Sequence, residues 1–232
     1  MNIGVIPARL NSSRLSEKIL IPIGGIPMVV QVYRQVLKAK KLDKVIVAID
    51  DEKTRVGLQN FGISGVMTSN SHQSGTDRIA EALKDDVTDI VVNIQGDEPE
   101  IEPELIDDLV FLFENSDAEI GTAVTSDLTL EDLENPDVVK VKTDKKGLAM
   151  NFSRKPMIGN RIFRHIGIYA FKTQILEKFI QLPPSIREKE KNLEQMRALD
   201  NGISIHTIIT DYKGRGVDNI EDIKRLEMGY VT

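Results

Sequence analysis

The sequence predicts an α/β protein: an open, mostly parallel, doubly wound sheet with a smaller α+β lobe. Three observations lead there. Through the first half of the chain, short β-rich apolar runs alternate with segments of helical apolar spacing, which implies parallel strands joined by right-handed crossovers. After about Asp127 the rhythm changes to strand, turn, strand. The length, 232 residues with 41% hydrophobic and 28% charged, suits one good core or one core plus a smaller lobe. A single domain over 1–232 is expected, with the lobe inserted at about 128–200.

The elements follow in order. Residues 3–7 read as a buried strand, and 28–40 as a helix with Val29, Val32, Tyr33, Val36 and Leu37 at helical spacing. "KVIVAID" (44–50) is a second strand, 51–61 a helix, and "GVMTS" (65–69) a third strand. "GTDRIAEALK" starts a helix with Thr76 as an N-cap candidate. "DIVVNIQ" (89–95) has four apolar residues in seven and is bounded by Gly96 and Pro99, so it reads as a strand; 102–114 is a helix with Pro103 in its first turn. "VVKVKTD" and "GLAMNFSR" form a hairpin turning at "DKKG" (144–147). "RHIGIYAFK" is a strand, 173–181 and 193–201 are helical, 203–210 is a strand, and a helix closes the chain from Asn219.

Composition excludes several functions. A formal net charge of -6 repels a nucleic-acid backbone and offers no polybasic membrane signal. With no cysteine, thiolate nucleophiles, disulfides and Cys-based metal sites are ruled out. The first residues lack a basic segment leading into a long apolar core, and no apolar run approaches a membrane span, so a cytoplasmic location is expected.

Ligands of an open parallel sheet bind outside the carboxyl ends of its strands. Three informative segments fall there. In "PARLNSSRLSEK", Arg9, Arg14 and Lys18 offer charge-assisted donors and Ser12 and Ser13 hydroxyls, which makes it either a phosphate site or a solvated loop. Neither "GxxxxGK[ST]" nor "GxGxxG" occurs. "HQSGTDR" reads as a helix N-terminus capped by Ser74 or Thr76, with Asp77 favoured by the dipole; its free amides also suit a base edge or a phosphate. In "NIQGDEP", Gly96 permits close backbone approach and Pro99 biases Glu98 to an extended conformation, presenting Asp97 at the strand end. A carboxylate there suits Mg²⁺, which takes one or two carboxylates plus substrate phosphates. Asp218 in "GVDNIEDI" is a possible second ligand or simply a helix-start residue. His165 reads as a structural strand histidine, and His72 and His206 form no ligand spacing with it, so zinc is not expected. Glu194 and Arg197 lie one turn apart, as on any surface helix.

Taken together, "IPARLNSSRL", "TSNSHQSGTDRIAEA", "VVNIQGDEP", "VVKV", "FSR.P", "RHIGIYAF", "LEQMRAL" and "GVDNIEDI" occur in the order of the 3-deoxy-manno-octulosonate cytidylyltransferase family, the CMP-Kdo synthetases, which the chain resembles over about 3–225. The resemblance implies a nucleotidyltransferase-like fold whose lobe binds the sugar and mediates dimerisation. It implies CTP and a Kdo-type sugar acid as substrates, Mg²⁺ as cofactor, and a place in lipopolysaccharide assembly. Residue by residue it implies that Arg9, Ser12, Ser13, Arg14 and Lys18 hold the triphosphate, Arg14 and Lys18 acting on the leaving pyrophosphate. Gln73, Ser74, Gly75 and Arg78 would bind the nucleotide, and Asp97 and Asp218 the metal. Gln95, Arg154, His165, Tyr169, Glu194 and Gln195 would hold the sugar acid.

Two departures stand out. The family's "RLPGKPL" is "RLSEKIL" here, so Ser16-Glu17 replaces a Pro-Gly turn and brings a negative charge beside the expected phosphate site. Only "MIGNRIF" separates "FSRKP" from "RHIGIY", where many members carry more. Two alternatives stay open: another sugar-nucleotide enzyme, such as a sialic-acid-type cytidylyltransferase or a metal-dependent glycosyltransferase, for which a "DxD" strand end is missing, or a catalytically silent nucleotide-binding module.

Overall fold

The computed structural model describes residues 1–11, 15–214 and 216–230. The chain forms two compact units: Met1–Thr88, Asn93–Ile106 and Gly214–Thr232 make the first, Asp89–Val92 and Asp107–Lys213 the second. The second is wider than the lobe expected at about 128–200. The reason lies in β7 (Ile120–Thr125), whose ladder partners fall inside that unit.

In chain order, the first unit contains β1 (Asn2–Ala8), a 3₁₀ turn (Lys18–Leu20), β2 (Pro22–Ile23), β3 (Ile26–Pro27), α1 (Met28–Val36), β4 (Lys44–Ile49), α2 (Glu52–Gln59), β5 (Gly65–Met67) and α3 (Gly75–Ala82). β6 (Ile90–Asn93) and α4 (Pro103–Glu114) each straddle a unit boundary. The second unit continues with β7, α5 (Leu130–Glu134), β8 (Lys140–Thr143), β9 (Ala149–Ser153), β10 (Ile162–Lys172), α6 (Thr173–Gln181), α7 (Ile186–Lys191), α8 (Met196–Asp200) and β11 (Ile205–Thr210). The chain returns to the first unit for α9 (Ile220–Tyr230).

β1, β4 and β5 run parallel, Val5 opposite Ile46 and Val47 opposite Gly65. The apolar runs of β1 and β4 are buried on both faces, as interior parallel strands require, whereas Val66 and Met67 of β5 are exposed. Ile94 N donates to Val5 O at 3.0 Å, which brings the segment after β6 beside the end of β1. Asp51 caps α2 through the Lys53 amide at 2.7 Å, and Ser74, not Thr76, caps α3. A core of Ile23, Met28, Val217 and Leu226, with Leu15 and Ile223 packed on it, ties α9 to the β2–β3 hairpin.

In the second unit β11 runs parallel to β7, while β10 pairs antiparallel with β7 and with β8. The expected hairpin is β8–β9: Asp144 Oδ1 accepts the amides of Lys146 and Leu148, both at 2.8 Å, and Gly147 takes a φ of 83° that favours glycine. Opposite β7, the register of β10 shifts between Ile166 and Tyr169. Such a bulge re-aims the side chains on either side of it.

Candidate active site

The strand ends of the first unit converge on one cleft, lined among others by Arg9, Lys18, Gln73, Ser74, Gln95 and Asp97. Glycine makes the approach possible at two points. A Cβ on Gly96 would lie 3.0 Å from the Pro7 carbonyl oxygen, and one on Gly75 would lie 3.3 Å from Pro7 Cγ. The strand end carrying Asp97 and the N-terminus of α3 therefore both close on the end of β1.

Asp50, just past β4, is the tie between them. Its Oδ1 accepts the Leu10 amide at 2.9 Å and its Oδ2 pairs with Arg78 Nη2 at 3.0 Å. Arg78 Nη1 also donates to Thr68 Oγ1 at 2.7 Å. Arg78 lines the cleft, yet its side chain is only 3% exposed and its guanidinium is engaged inside the unit. Ser74 is similarly engaged: its hydroxyl donates to the Asp77 carboxylate at 2.9 Å while accepting the Asp77 amide at 3.1 Å. Gln73 is exposed at the cleft.

Lys18 reaches into the acidic end of the cleft. Its Nζ lies 2.5 Å from Asp97 Oδ2, 2.8 Å from the Val217 carbonyl and 3.8 Å from Asp218 Oδ1. Val217 is held there by its own amide, which donates to Asp97 O at 2.9 Å. Asp218 is not the helix cap: Asn219 Oδ1 accepts the Asp222 amide at 2.9 Å, and Asp222 Oδ2 accepts the amide of Asp218 at 2.8 Å. Its carboxylate is therefore not spent as a cap for α9. Just upstream, Glu17 adopts the left-handed conformation at φ 55°, the region a glycine enters without cost. Lys53 Nζ takes both of its carboxylate oxygens at 2.6 Å, so the extra negative charge is paired on α2.

The second unit assembles a different set. The ring centroids of His165 and Tyr169 lie 5.3 Å apart, and Phe152 meets His165 edge-on at 5.2 Å. Thr122 Oγ1 donates to the Ile168 carbonyl at 2.7 Å, so towards His165 Nε2, 2.9 Å away, it is the acceptor. The proton thus sits on Nε2, leaving Nδ1 as an acceptor. Burial pushes the imidazole down from 6.5 to about 3, which keeps it neutral. Tyr169 is pushed up, first by burial and then by the Glu194 carboxylate, and its hydroxyl is buried without a hydrogen-bond partner. Arg154 follows β9 two residues after Phe152; its Nη1 donates to Pro136 O at 3.1 Å and its buried Nε has no partner. Gln195 precedes α8 as its N-cap residue.

The residues expected from the sequence therefore fall into two groups. Arg9, Lys18, Gln73, Ser74, Gly75, Arg78, Gln95 and Asp97 share the cleft of the first unit, and Asp218 joins them through Lys18. Within the second unit, His165 and Tyr169 meet, Glu194 acts on Tyr169, and Arg154 directly follows the strand of Phe152. Ser12, Ser13 and Arg14 lie outside the described residues. Among the described residues no cluster of three or more His, Cys, Asp or Glu could hold a metal ion. Sequence reasoning passed over Asp50 although it obeys the same strand-end rule as Asp97. It also passed over His72, which lines the cleft and pairs with Glu81.

Comparison with known proteins bears on this geometry. A family model described as "Cytidylyltransferase" matches residues 3–205. A 3-deoxy-manno-octulosonate cytidylyltransferase of Chloroherpeton thalassium is 44% identical over 96% of this chain and 95% of its own length. One from Zea mays is 41% identical over 97% of this chain and 79% of its own. Among solved structures, the CMP:2-keto-3-deoxy-manno-octonic acid synthetase complexed with CTP matches with a TM-score of 0.93 at 34% identity, covering 99% of this chain and 98% of that one. A putative glucose-1-phosphate thymidylyltransferase from Bacillus anthracis, at 16% identity and a TM-score of 0.70, shares the fold. With a cytidylyltransferase model matching most of its length and relatives this similar along nearly all of it, the chain belongs to the 3-deoxy-manno-octulosonate cytidylyltransferase family.

Proposed function

We propose that this cytidylyltransferase couples CTP to the anomeric hydroxyl of 3-deoxy-manno-octulosonate (Kdo) or its 8-amino analogue. The hydroxyl oxygen forms a bond to the α-phosphorus, the bond from that phosphorus to the bridging oxygen breaks, and pyrophosphate leaves with the electron pair. One observation carries the reading: a cation, Lys18 Nζ, sits between the carboxylates of Asp97 and Asp218 at 2.5 and 3.8 Å within the strand-end cleft. That ammonium is a stand-in for a divalent ion, and hard carboxylate oxygens suit Mg²⁺. The residues fit the metal; Asp97 and Asp218 would hold it, and when bound it supplies Lewis-acid polarisation and charge neutralisation.

The remaining roles belong to the chain. Lys18 and Arg9, with Arg14, Ser12 and Ser13 by family resemblance, stabilise charge on the triphosphate and the leaving pyrophosphate. With Arg78 and Ser74 engaged internally, nucleotide recognition at α3 rests on the Gln73 side chain and the amides beginning at Gly75, while Arg78 sets their position. Of the residues that the resemblance assigns to the sugar acid, Gln95 belongs to the first unit and Arg154, His165, Tyr169, Glu194 and Gln195 to the second. In that set Arg154 pairs with the carboxylate, His165 Nδ1 accepts from a sugar hydroxyl, and the buried Tyr169 hydroxyl gains a partner. No protein nucleophile is needed. The resemblance extends the proposal to lipopolysaccharide assembly in the cytoplasm by a homodimer; no helix of the described residues is long and apolar enough to cross a membrane.

Pyrophosphate release with Mg²⁺, crossing the four nucleoside triphosphates with Kdo, 8-amino-Kdo and N-acetylneuraminate, tests the reading. Release is expected with CTP and a Kdo-type acid. Release only with N-acetylneuraminate, or with none of the three, would overturn it.

A further inference from the structure

β8 begins with a lysine that solvent does not reach. Lys140 is 0% exposed, and its Nζ donates to the carbonyl oxygens of Asn135, Val138 and Arg154 at 2.8, 2.9 and 2.7 Å. An ammonium has three protons, and each has its acceptor. The same short loop is gripped by a second cation, because Arg154 Nη1 donates to Pro136 O at 3.1 Å and to Asp137 O at 3.4 Å. Between them, two side chains engage all four carbonyls from Asn135 to Val138, and Lys140 also holds the carbonyl of Arg154 itself. The Val138 amide closes the loop on Asn135 O at 3.2 Å, and Ser153 Oγ receives the Lys155 amide at 3.0 Å, fixing the backbone on the other side of Arg154. Asp132 and Glu134 supply negative potential to Lys140 through space, against the burial that draws its pKa down.

A lysine placed so deep is expensive unless fully hydrogen-bonded. The bonds it makes converge on one neighbour. We propose that Lys140 is a positioning residue for Arg154: by fixing both the backbone of Arg154 and the loop that anchors its Nη1, it sets the guanidinium where the remaining edge, including the unpartnered Nε, meets the sugar-acid carboxylate. The proposal rests on the reading of Arg154 as the carboxylate partner. A guanidinium recognises a carboxylate through a planar pair of bonds, so a small displacement of its base costs more than the loss of any one contact.

Steady-state kinetics of Lys140→Met, Arg154→Ala and the double variant in the full-length enzyme separate the possibilities. Lys140→Met is expected to raise the KM for the sugar acid about 10- to 100-fold while the KM for CTP stays within about twofold. The double variant should then be no worse than Arg154→Ala by more than about threefold, because both changes remove the same contact. Equal rises in both KM values, or losses that multiply in the double variant, would mean that Lys140 only supports the fold. If Lys140→Met does not fold, Lys140→Arg carries the same comparison. Its bulkier head must push the loop away, so a sugar-acid KM left unchanged would overturn the proposal. If Arg154→Ala itself leaves the sugar-acid KM unchanged, the assignment of Arg154 fails and the proposal with it. If Arg154→Ala raises that KM and neither Lys140 variant does, only the proposal fails.

Discussion

Charged groups at the strand ends of the first unit are matched within the protein: Lys18 with Asp97, Arg78 with Asp50, Glu17 with Lys53. In the second unit buried polar atoms stand without partners, among them the Tyr169 hydroxyl and Arg154 Nε. The contrast follows from the two proposed ligands. A triphosphate and a metal bring large charges, and a cation awaiting them in a half-closed cleft is held more cheaply against an internal carboxylate than bare. Binding there is an exchange of ion pairs. A sugar acid brings hydroxyls besides its carboxylate, and a neutral orphan such as the Tyr169 hydroxyl costs only about 1–3 kcal/mol, so it can be left for the ligand to satisfy, while the Arg154 guanidinium rests on the Pro136 and Asp137 carbonyls.

That contrast can be broken at several points. Asp97→Asn should lower kcat about 10³-fold or more with the melting temperature little changed, since it removes the central carboxylate of the exchange; turnover at the parental rate would reject its proposed metal role. Lys18→Met should lower kcat about 10²-fold. It should also let the protein bind Mn²⁺ without nucleotide more tightly than the parent does, measured by electron paramagnetic resonance, because no ammonium then competes for Asp97. Tyr169→Phe should do the opposite of a usual active-site change: raise stability by about 1 kcal/mol by removing an orphan hydroxyl, yet raise the sugar-acid KM several-fold. Thermal melts and initial rates on the same preparation check both halves.

His165 gives a pH-dependent test. Its pKa falls from 6.5 to about 3 on folding, so between those values the unfolded chain binds a proton that the folded chain does not. Stability from this residue is fully present above pH 6.5 and falls as pH drops, by at most about 1.4 kcal/mol per pH unit. His165→Gln should flatten that part of the denaturation profile. The smallest effect is expected from Glu17→Gly, which relieves a left-handed residue while losing an exposed ion pair, two contributions each of about 1 kcal/mol or less. A large loss of stability would show that the Lys53 pair matters more than its exposure indicates.

Periodicity made the long elements legible. β1, β4, β5, α6 and the "DKKG" hairpin lie where spacing and turn residues put them. Among the shortest elements, α5, α7 and the β2–β3 hairpin were missed, because neither period can repeat within them. α5 and α7 carried readable signals all the same, as Thr129 with Asp132 and Ser185 with Glu188 form capping boxes. At the candidate site, Asp97, which announces itself by motif, lines the cleft at the strand end where the sequence put it. Asp50 and Lys140 act through bonds to main-chain atoms of residues as far away as Leu10, 40 positions from Asp50. Nothing in the local spelling of "AIDD" or "VVKVK" records such partners. Ser16-Glu17 brings a negative charge beside the expected phosphate site; Lys53, 36 positions on, pairs that charge, and nothing in the spelling of "RLSEK" records such a partner.

The core joining Val217 and Leu226 to Ile23 and Met28 has a consequence for the order in which the protein can be made. A chain emerging from the ribosome presents the β2–β3 hairpin early, but the residues that cover it follow the whole second unit in sequence. The second unit's 107–213 stretch is complete before then, whereas the first must wait with an apolar surface open. Asp218, placed two residues before α9, joins Lys18 only then. A nascent chain that stops short of Val217 therefore lacks both the cover of that hairpin and the grouping of Asp97, Lys18 and Asp218.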